Sequence, residues 1–379
     1  SIGLTIAGNG ENGGTAVYNC GQDSSFAGAK TAQGNTDDNG IGDFYYAPPS
    51  GFLALCSANL PDTNFAPNQP EQATDYFNTV LYTSNNIGAG GTQSVTGVGF
   101  QPDWVWIKNR DSNSTAHTLY DTNRGTGRHL ASDSSAVEVG LNSIYGYLSA
   151  FGVDGYTLTG GTTNANYINQ GTDKYVSWNW KINGGTTSTD NNGSLASTIQ
   201  TNPEVGISIA TFNVPSQANF SFGHGLGSVP EMFWWKSRTN TQNWIVYHAA
   251  RTASVPNQNG LYLNNNITFT TGANWITELS STRIAITDGQ VSSGSNRDNV
   301  VYSFKSVEGF SKIGSYTGNG STNGTFVYTG FRPAWILIKQ TNSNGHWVIH
   351  DNKRSPFNVA DEDLFANLTS AESDNGVDK

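Results

Sequence analysis

Residues 99–108 read GFQPDWVWIK. The skeleton returns as GLGSVPEMFWWK at 225–236 and as GFRPAWILIK at 330–339. In each copy a proline stands six residues before a lysine: Pro102 and Lys108, Pro230 and Lys236, Pro333 and Lys339. Proline cannot donate to a sheet ladder, so it marks a strand entry. The residues that follow, WVWI, MFWW and WILI, are apolar without alternation. Such a run predicts a strand covered on both faces, as inside a sandwich. The lysine then marks the exit into turn-rich sequence.

The copies agree beyond this core. Each lysine is followed by a second run: HTLYDTNR at 117–124, WIVYHAAR at 244–251 and WVIHDNKR at 347–354. These runs are expected to return antiparallel. Each closes on an arginine (Arg124, Arg251, Arg354), for which a fixed local contact to a turn carbonyl or an acidic neighbour is expected. Before each proline lies a β-like run ending in a polar turn: FNTVLYTSNN from Phe77, ISIATFNVPS from Ile207 and SKIGSYTGNG from Ser311. The first two copies carry a late strand, DKYVSWNWK at 173–181 and DNVVYSFKS at 298–306. In YVSWNW, Val176, Trp178 and Trp180 share one face and Tyr175, Ser177 and Asn179 the other.

The repeat organises the chain into residues 1–74, an N-terminal sandwich end plus linker; 75–204, repeat 1; 205–310, repeat 2; and 311–379, a partial repeat 3. The polar segment GGTTSTDNNGSLASTIQTNPE is read as the connection between the first two repeats. Both ends read as cut, so the sequence is expected to be a portion of a longer chain.

Composition supports an all-β reading. Of the 379 residues, 13% are charged, 12% are aromatic, 44 are Gly and one is Met. Asn, Thr, Ser and Gly favour turns over helix interiors. The expected fold class is tandem antiparallel β-sandwich, concanavalin or jelly-roll-like. A net charge of −10 without a basic patch argues against nucleic acid and anionic membrane surfaces. No apolar run reaches the ~18–20 residues of a helical span.

The titratable residues form no familiar constellation. The histidines are His117, His129, His224, His248, His346 and His350. His346 and His350 share a strand face but stand about 13 Å apart, too far for one metal ion. Asp103, Asp111, Asp121, Asp154 and Asp173 could supply a glycosidase carboxylate pair. Yet Asp103 becomes Glu231 and then Ala334 in the later copies, and Asp121 becomes His248 and then Asp351. Asp37, Asp38, Asn39 and Asp43 could face a calcium ion, but no EF-hand pattern surrounds them and a solvated turn is expected. Trp106, Trp180, Trp234, Trp235, Trp244 and Trp347 are candidates for stacking on sugars. Trp104, Trp106, Trp234, Trp235 and Trp335 fall in the apolar runs, where a core role is expected. Cys20 and Cys56 are read either as one disulfide or as two buried thiols. No catalytic, cofactor-binding or metal residue is assigned.

Taken in order, GFQPDWVWIKNRDS, LYDTNRG, KYVSWNWK, GHGLGSVPEMFWWKSR and GSYTGNGSTNGTFVYTGFRPAWILIK with HWVIHDNKR resemble an uncharacterised repeat domain. That domain is common in long virion and tail-fibre-like proteins of marine bacteriophages, including cyanophages. The resemblance covers roughly residues 75–379. DFYYAPPSGFLALCSANLP resembles the final strands of a SPRY-like, concanavalin-type sandwich. The resemblance implies a structural or adhesive virion protein rather than an enzyme: a tail fibre or appendage on the particle surface. It implies a homo-oligomer, expected to be a trimer, with other virion proteins and host-surface glycans as partners and no cofactor. The competing expectations are a glycan-binding or depolymerising tail module and a bacterial surface adhesin.

Overall fold

The computed structural model describes residues 20–59, 65, 69–163, 167–216, 219–251, 259–268, 270–271, 275–287, 296–321, 323–357 and 360–374. The chain divides into a small unit, residues 1–63, and a large unit, residues 64–379.

Asp37 anchors the small unit. Its carboxylate accepts from the amides of Asn39, Ile41 and Ala54 and from Asn59 Nδ2. Asn35 and Phe44 form an isolated β-bridge, and no strand forms over residues 45–59. Pro48 and Pro49 lack the amides a ladder needs there. Cys20 is half-buried, Cys56 is exposed, and both are free thiols. They are therefore neither a disulfide nor a pair of buried thiols.

In repeat 1, β1 (Phe77–Thr83), β7 (Lys174–Trp180), β3 (Trp104–Asn109) and β4 (Thr118–Asp121) form one antiparallel sheet in the order β1-β7-β3-β4. A second sheet, in the order β2-β6-β5, comprises β2 (Thr92–Thr96), β6 (Gly155–Thr159) and β5 (Tyr147–Gly152). Every residue of β3 is buried. Its alternation separates two cores. Val105 and Ile107 pack against Leu148, Tyr156 and Leu158 inside the sandwich, while Trp104 and Trp106 face the other way.

Repeat 2 repeats the plan. β10 (Ile207–Val214), β18 (Arg297–Phe304), β12 (Met232–Ser237) and β13 (Ile245–His248) correspond to β1, β7, β3 and β4. β14 (Asn259–Tyr262) and β15 (Thr270–Thr271) extend this sheet beyond β13. Against it pack β11 (Phe220–Gly223), β17 (Arg283–Ile286) and β16 (Ile276–Leu279).

The polar connection expected at 184–204 is instead part of the sheet. β8 (Ser188–Asp190) and β9 (Ser197–Asn202) form a hairpin on β10, making eight strands. Its polar side chains conceal it in the sequence because they are bonded: Thr122 donates to Gln200 at 2.7 Å, and Asn123 to the Thr198 carbonyl at 3.1 Å.

Repeat 3 supplies one sheet among the described residues. Its order is β19 (Trp335–Lys339), β20 (Trp347–Asp351), β21 (Glu362–Phe365) and β22 (Ser373–Asp374). β19 is an edge strand, whereas β3 and β12 are interior. The run 311–320, expected to match β1 and β10, is not a strand. The described chain is thus all-β, with antiparallel ladders and only short 3-10 turns for helix. No described helix is long and apolar enough to cross a membrane.

The repeats share one core. Trp104, Trp106, Trp178 and Trp180 from repeat 1 meet Trp234, Trp244, Tyr302 and Phe304 from repeat 2, and Trp347, Ile349 and Leu364 from repeat 3. Trp234 lies 5.8 Å from both Trp104 and Trp106, ring to ring and edge-on. Trp335 lies 5.6 Å from Trp180. Each such aromatic pair contributes roughly 0.5–1.5 kcal/mol beyond its buried area.

Candidate functional site: the seams between repeats

The motif lysines close a ring. Lys108 Nζ of repeat 1 donates to the Thr369 carbonyl of repeat 3 at 3.0 Å. Lys236 of repeat 2 donates to Ser135 of repeat 1 at 3.1 Å. Lys339 of repeat 3 donates to Asn266 of repeat 2 at 3.3 Å. The acceptors are equivalent, each five residues past a core leucine: Leu130, Leu261 and Leu364. Burial lowers Lys108 and Lys236 to about 8, and lowers Lys339.

A second set of contacts runs the same way round. His117, Trp244 and Trp347 open the second runs of the three repeats. The His117 Nε2–H reaches the Phe365 carbonyl at 3.0 Å, Trp244 Nε1 reaches Ala131 at 2.8 Å, and Trp347 Nε1 reaches Tyr262 at 2.9 Å. Trp106 Nε1 donates to His117 Nδ1 at 2.8 Å, which places the ring proton on Nε2. Burial and then the Lys108 charge hold His117 well below its ordinary range.

Charge pairs reinforce two seams. Arg110 grips Glu372, and Arg238 grips Glu138 with bonds of 2.8 and 2.9 Å. At each, the glutamate amide also donates to the arginine carbonyl at 2.8 Å. Burial alone would raise Glu138; the bond from Arg238 and the charge of Arg124 outweigh it and bring Glu138 down to about 2. The third seam uses hydroxyls instead: Thr268 donates to the Thr341 carbonyl at 2.6 Å.

The residues proposed from sequence take structural posts. Arg124 Nε holds Asp121 at 2.5 Å and its Nη2 reaches the Leu119 carbonyl; Arg354 does the same with Asp351 at 2.6 Å and Ile349. The expected acidic neighbour is present, and the carbonyl bonded beside it belongs to the return strand rather than to a turn. The side chain of Arg251 lies outside the described residues. Asp103 Oδ2 accepts the amides of Ile182, Asn183 and Gly184, and Glu231 accepts from Ser306, so each pins the segment leaving its late strand. Asp111, Asp154 and Asp173 accept from the Lys174 amide, the Gly97 and Gly99 amides, and Asn109. Asp111 and Asp173 sit on neighbouring turns joined through Asn109 and Lys174.

The remaining candidates are also engaged. His224 bonds the Ser280 carbonyl, His346 meets Asn367, and His350 lies 3.4 Å from Asp363. His129 is buried and held down to about 4 by burial, then by the Arg124 charge. Asp38 accepts from Ser50 and the Gly51 amide, and Asp43 from Ser24. With Asp37 also bonded to amides, the 37–43 segment is a hydrogen-bonded turn. Among the described residues no group of His, Cys, Asp and Glu could hold a metal ion. Trp335 is half-buried and the other nine tryptophans are buried, so every Trp proposed for sugar stacking lies in a core. Among the described residues the exposed aromatics are instead Tyr46, Phe52, Tyr316, Phe326, Tyr328 and Phe357.

These seams lie within one compact unit, residues 64–379, and similarity to known proteins has nearly the same extent. A family model described as a domain of unknown function, DUF7483, matches residues 72–379. The chain belongs to this family. One DUF7483 match thus spans all three repeats and their shared core. No curated protein and no solved structure matches the chain.

Sequence reasoning missed the seams. The signal was present in the lysine that recurs at the end of an apolar strand: a buried ammonium needs carbonyl partners, and its own repeat supplies too few.

Proposed function

We propose that the chain is a structural and adhesive part of a bacteriophage virion, a tail-fibre or appendage protein that presents its surface to the host cell. The observation that carries this reading is the use of its chemistry for construction. Tryptophans of all three repeats, the motif lysines and the arginine-paired glutamates Glu138 and Glu372 hold the three repeats together. A rigid body with an acidic, turn-rich exterior suits a particle protein. Adhesion would come from repeated weak contacts, which multiply when several copies stand on one appendage. The exposed aromatics at Tyr316, Phe326 and Tyr328 are candidate contacts for host-surface glycans. Assembly with other virion proteins and as a homo-oligomer, a trimer in the sequence-based reading, belongs to the same proposal.

The test is electron microscopy of the particles with an antibody raised against the chain, alongside adsorption of particles to host cells in the presence of purified protein. Label on a protruding appendage and blocked adsorption support the proposal. Unlabelled particles, or release of reducing sugar ends from host polysaccharide by the purified chain, would overturn it.

A further inference from the structure

The repeated apolar strand has two neighbours in repeats 1 and 2 but one in repeat 3. β3 lies between β4 and β7, and β12 between β13 and β18. β19 has β20 on one side and, among the described residues, no strand on the other. The consequence is visible in burial. Trp104, Val105, Trp106 and Ile107 are fully buried, whereas Trp335, Leu337 and Ile338 are half-buried and Ile336 is 40% exposed. An open strand edge with an apolar surface is a template for pairing.

We propose that the free edge of β19 is a docking site for one polypeptide strand, added antiparallel, of the pattern Val-x-Tyr-x-aromatic-Lys. The pattern is read from the two edges that are occupied. β7 brings Val176, Trp178, Trp180 and then Lys181; β18 brings Val300, Tyr302, Phe304 and then Lys305. Their registers agree. Trp180 and Trp178 stand opposite Trp104 and Trp106. Phe304 and Tyr302 stand opposite Met232 and Trp234. On β19 the two aromatics would stand opposite Trp335 and Leu337, and the valine opposite Lys339.

The preference for tyrosine comes from the seam. The first aromatic of each occupied edge bonds the same position of a neighbouring repeat. Trp178 Nε1 donates to Asp351 at 3.0 Å, and Tyr302 Oη donates to Asp121 at 2.6 Å. The third such position is His248, which stands opposite Met232 as Asp121 stands opposite Trp104. Its Nδ1 accepts from the Ala250 amide at 3.2 Å, so the neutral ring carries its proton on Nε2. An indole can only donate, whereas a phenol hydroxyl can accept that proton. Ala334 differs from Asp103 and Glu231 by having no carboxylate to pin the segment beyond the strand. The arriving strand is therefore held by its ladder and its two rings.

The experiment uses the full chain and a synthetic peptide of residues 297–305, RDNVVYSFK. Amide hydrogen exchange over 335–339 is expected to slow at least tenfold at saturating peptide, with 77–83 unchanged. Replacing the peptide tyrosine with phenylalanine should weaken binding several-fold in the wild-type chain and leave it unchanged in His248→Ala. Unchanged exchange at millimolar peptide would overturn the proposal, as would equal protection by a scrambled peptide. So would protection that appears without peptide as the chain is concentrated and its mass doubles, since the edge would then belong to a second copy's β19. Equal weakening in both chains would remove His248 from the site.

Discussion

Tyr302 donates its hydroxyl to Asp121 at 2.6 Å, from the late strand of repeat 2 to the return strand of repeat 1. Arg124 holds the same carboxylate oxygen from the other side. Burial and then the Asp121 charge act in opposite senses on Arg124, and its pKa is raised. Removing the arginine leaves a buried carboxylate without its cation. Arg124→Ala should cost about 3–5 kcal/mol, as for other broken buried pairs. Tyr302→Phe keeps the ring in the core and loses one bond to a charged group, at a cost of roughly 1–3 kcal/mol. Urea denaturation of both variants measures this. An Arg124→Ala chain within about 0.5 kcal/mol of wild type, the range of an ordinary surface substitution, would remove the pair from the set of supports.

A shared core has a thermodynamic signature. Repeats that fold alone melt alone, as beads on a chain. Here Trp234 packs on Trp104 and Trp106, and all three motif lysines bond a neighbouring repeat. Residues 64–379 should therefore unfold in one calorimetric transition, with van't Hoff and calorimetric enthalpies in agreement. Residues 205–310 expressed alone should show no cooperative transition, because Trp234, Trp244, Tyr302 and Phe304 would face water. Separate transitions for the three repeats would refute the common core.

Much of the fold was legible in residues 99–108 and their copies. Proline at entry, an unbroken apolar run and a return strand ending in arginine gave β3 with β4, β12 with β13, and β19 with β20. In β3 and β12 the uninterrupted apolar run reads correctly as burial on both faces; in β19 it does not, because that strand lies at an edge and is only half-buried. The run does not reveal that one face belongs to the sandwich and the other to a neighbouring repeat. Val105 and Trp106 are alike in burial, and only the partners distinguish them. The β8–β9 hairpin was hidden for the opposite reason: of its buried residues only Ile199 is apolar, while Asp190, Ser197 and Gln200 are polar, and Gln200 is satisfied by Thr122, which lies far away in sequence. The lysine marks that a seam bond is needed but not where it goes, because the acceptors of the three motif lysines are backbone carbonyls and no residue type marks a carbonyl.

The buried titratable groups predict a skewed stability profile. Lys108 and Lys236 are lowered to about 8 by burial, while an unfolded lysine titrates near 10.4. Between those values the unfolded chain binds more protons, so stability rises with pH by up to about 1.4 kcal/mol per unit for each lysine. The gain ends near pH 10, where unfolded tyrosines ionise and Tyr120, Tyr156 and Tyr302, raised by burial, do not. On the acid side His117, His129, His224 and His248 are all lowered, first by burial. Stability should fall as pH drops below about 6.5, because only the unfolded histidines take protons there. Glu138 adds a further loss below about pH 4.5. Melting temperature across pH 4–11 should peak between 9 and 10. A peak near pH 6 would refute the buried lysines.

Tryptophan emission separates a building role from a binding one. Nine of the ten indoles are buried and Trp335 is half-buried. The native chain should emit well to the blue of free tryptophan and resist iodide, which quenches only accessible rings. Unfolding in urea should shift the emission red and restore quenching. Host polysaccharide, if it binds, should leave the emission unchanged, because the exposed rings available for stacking are Tyr316, Phe326, Tyr328 and their like. Triple replacement of those three by serine should then abolish binding while leaving the melting temperature unchanged, since none of their rings lies in the core. A blue shift or strong quenching of tryptophan on adding polysaccharide would place an indole in the binding site and contradict the burial on which the reading rests.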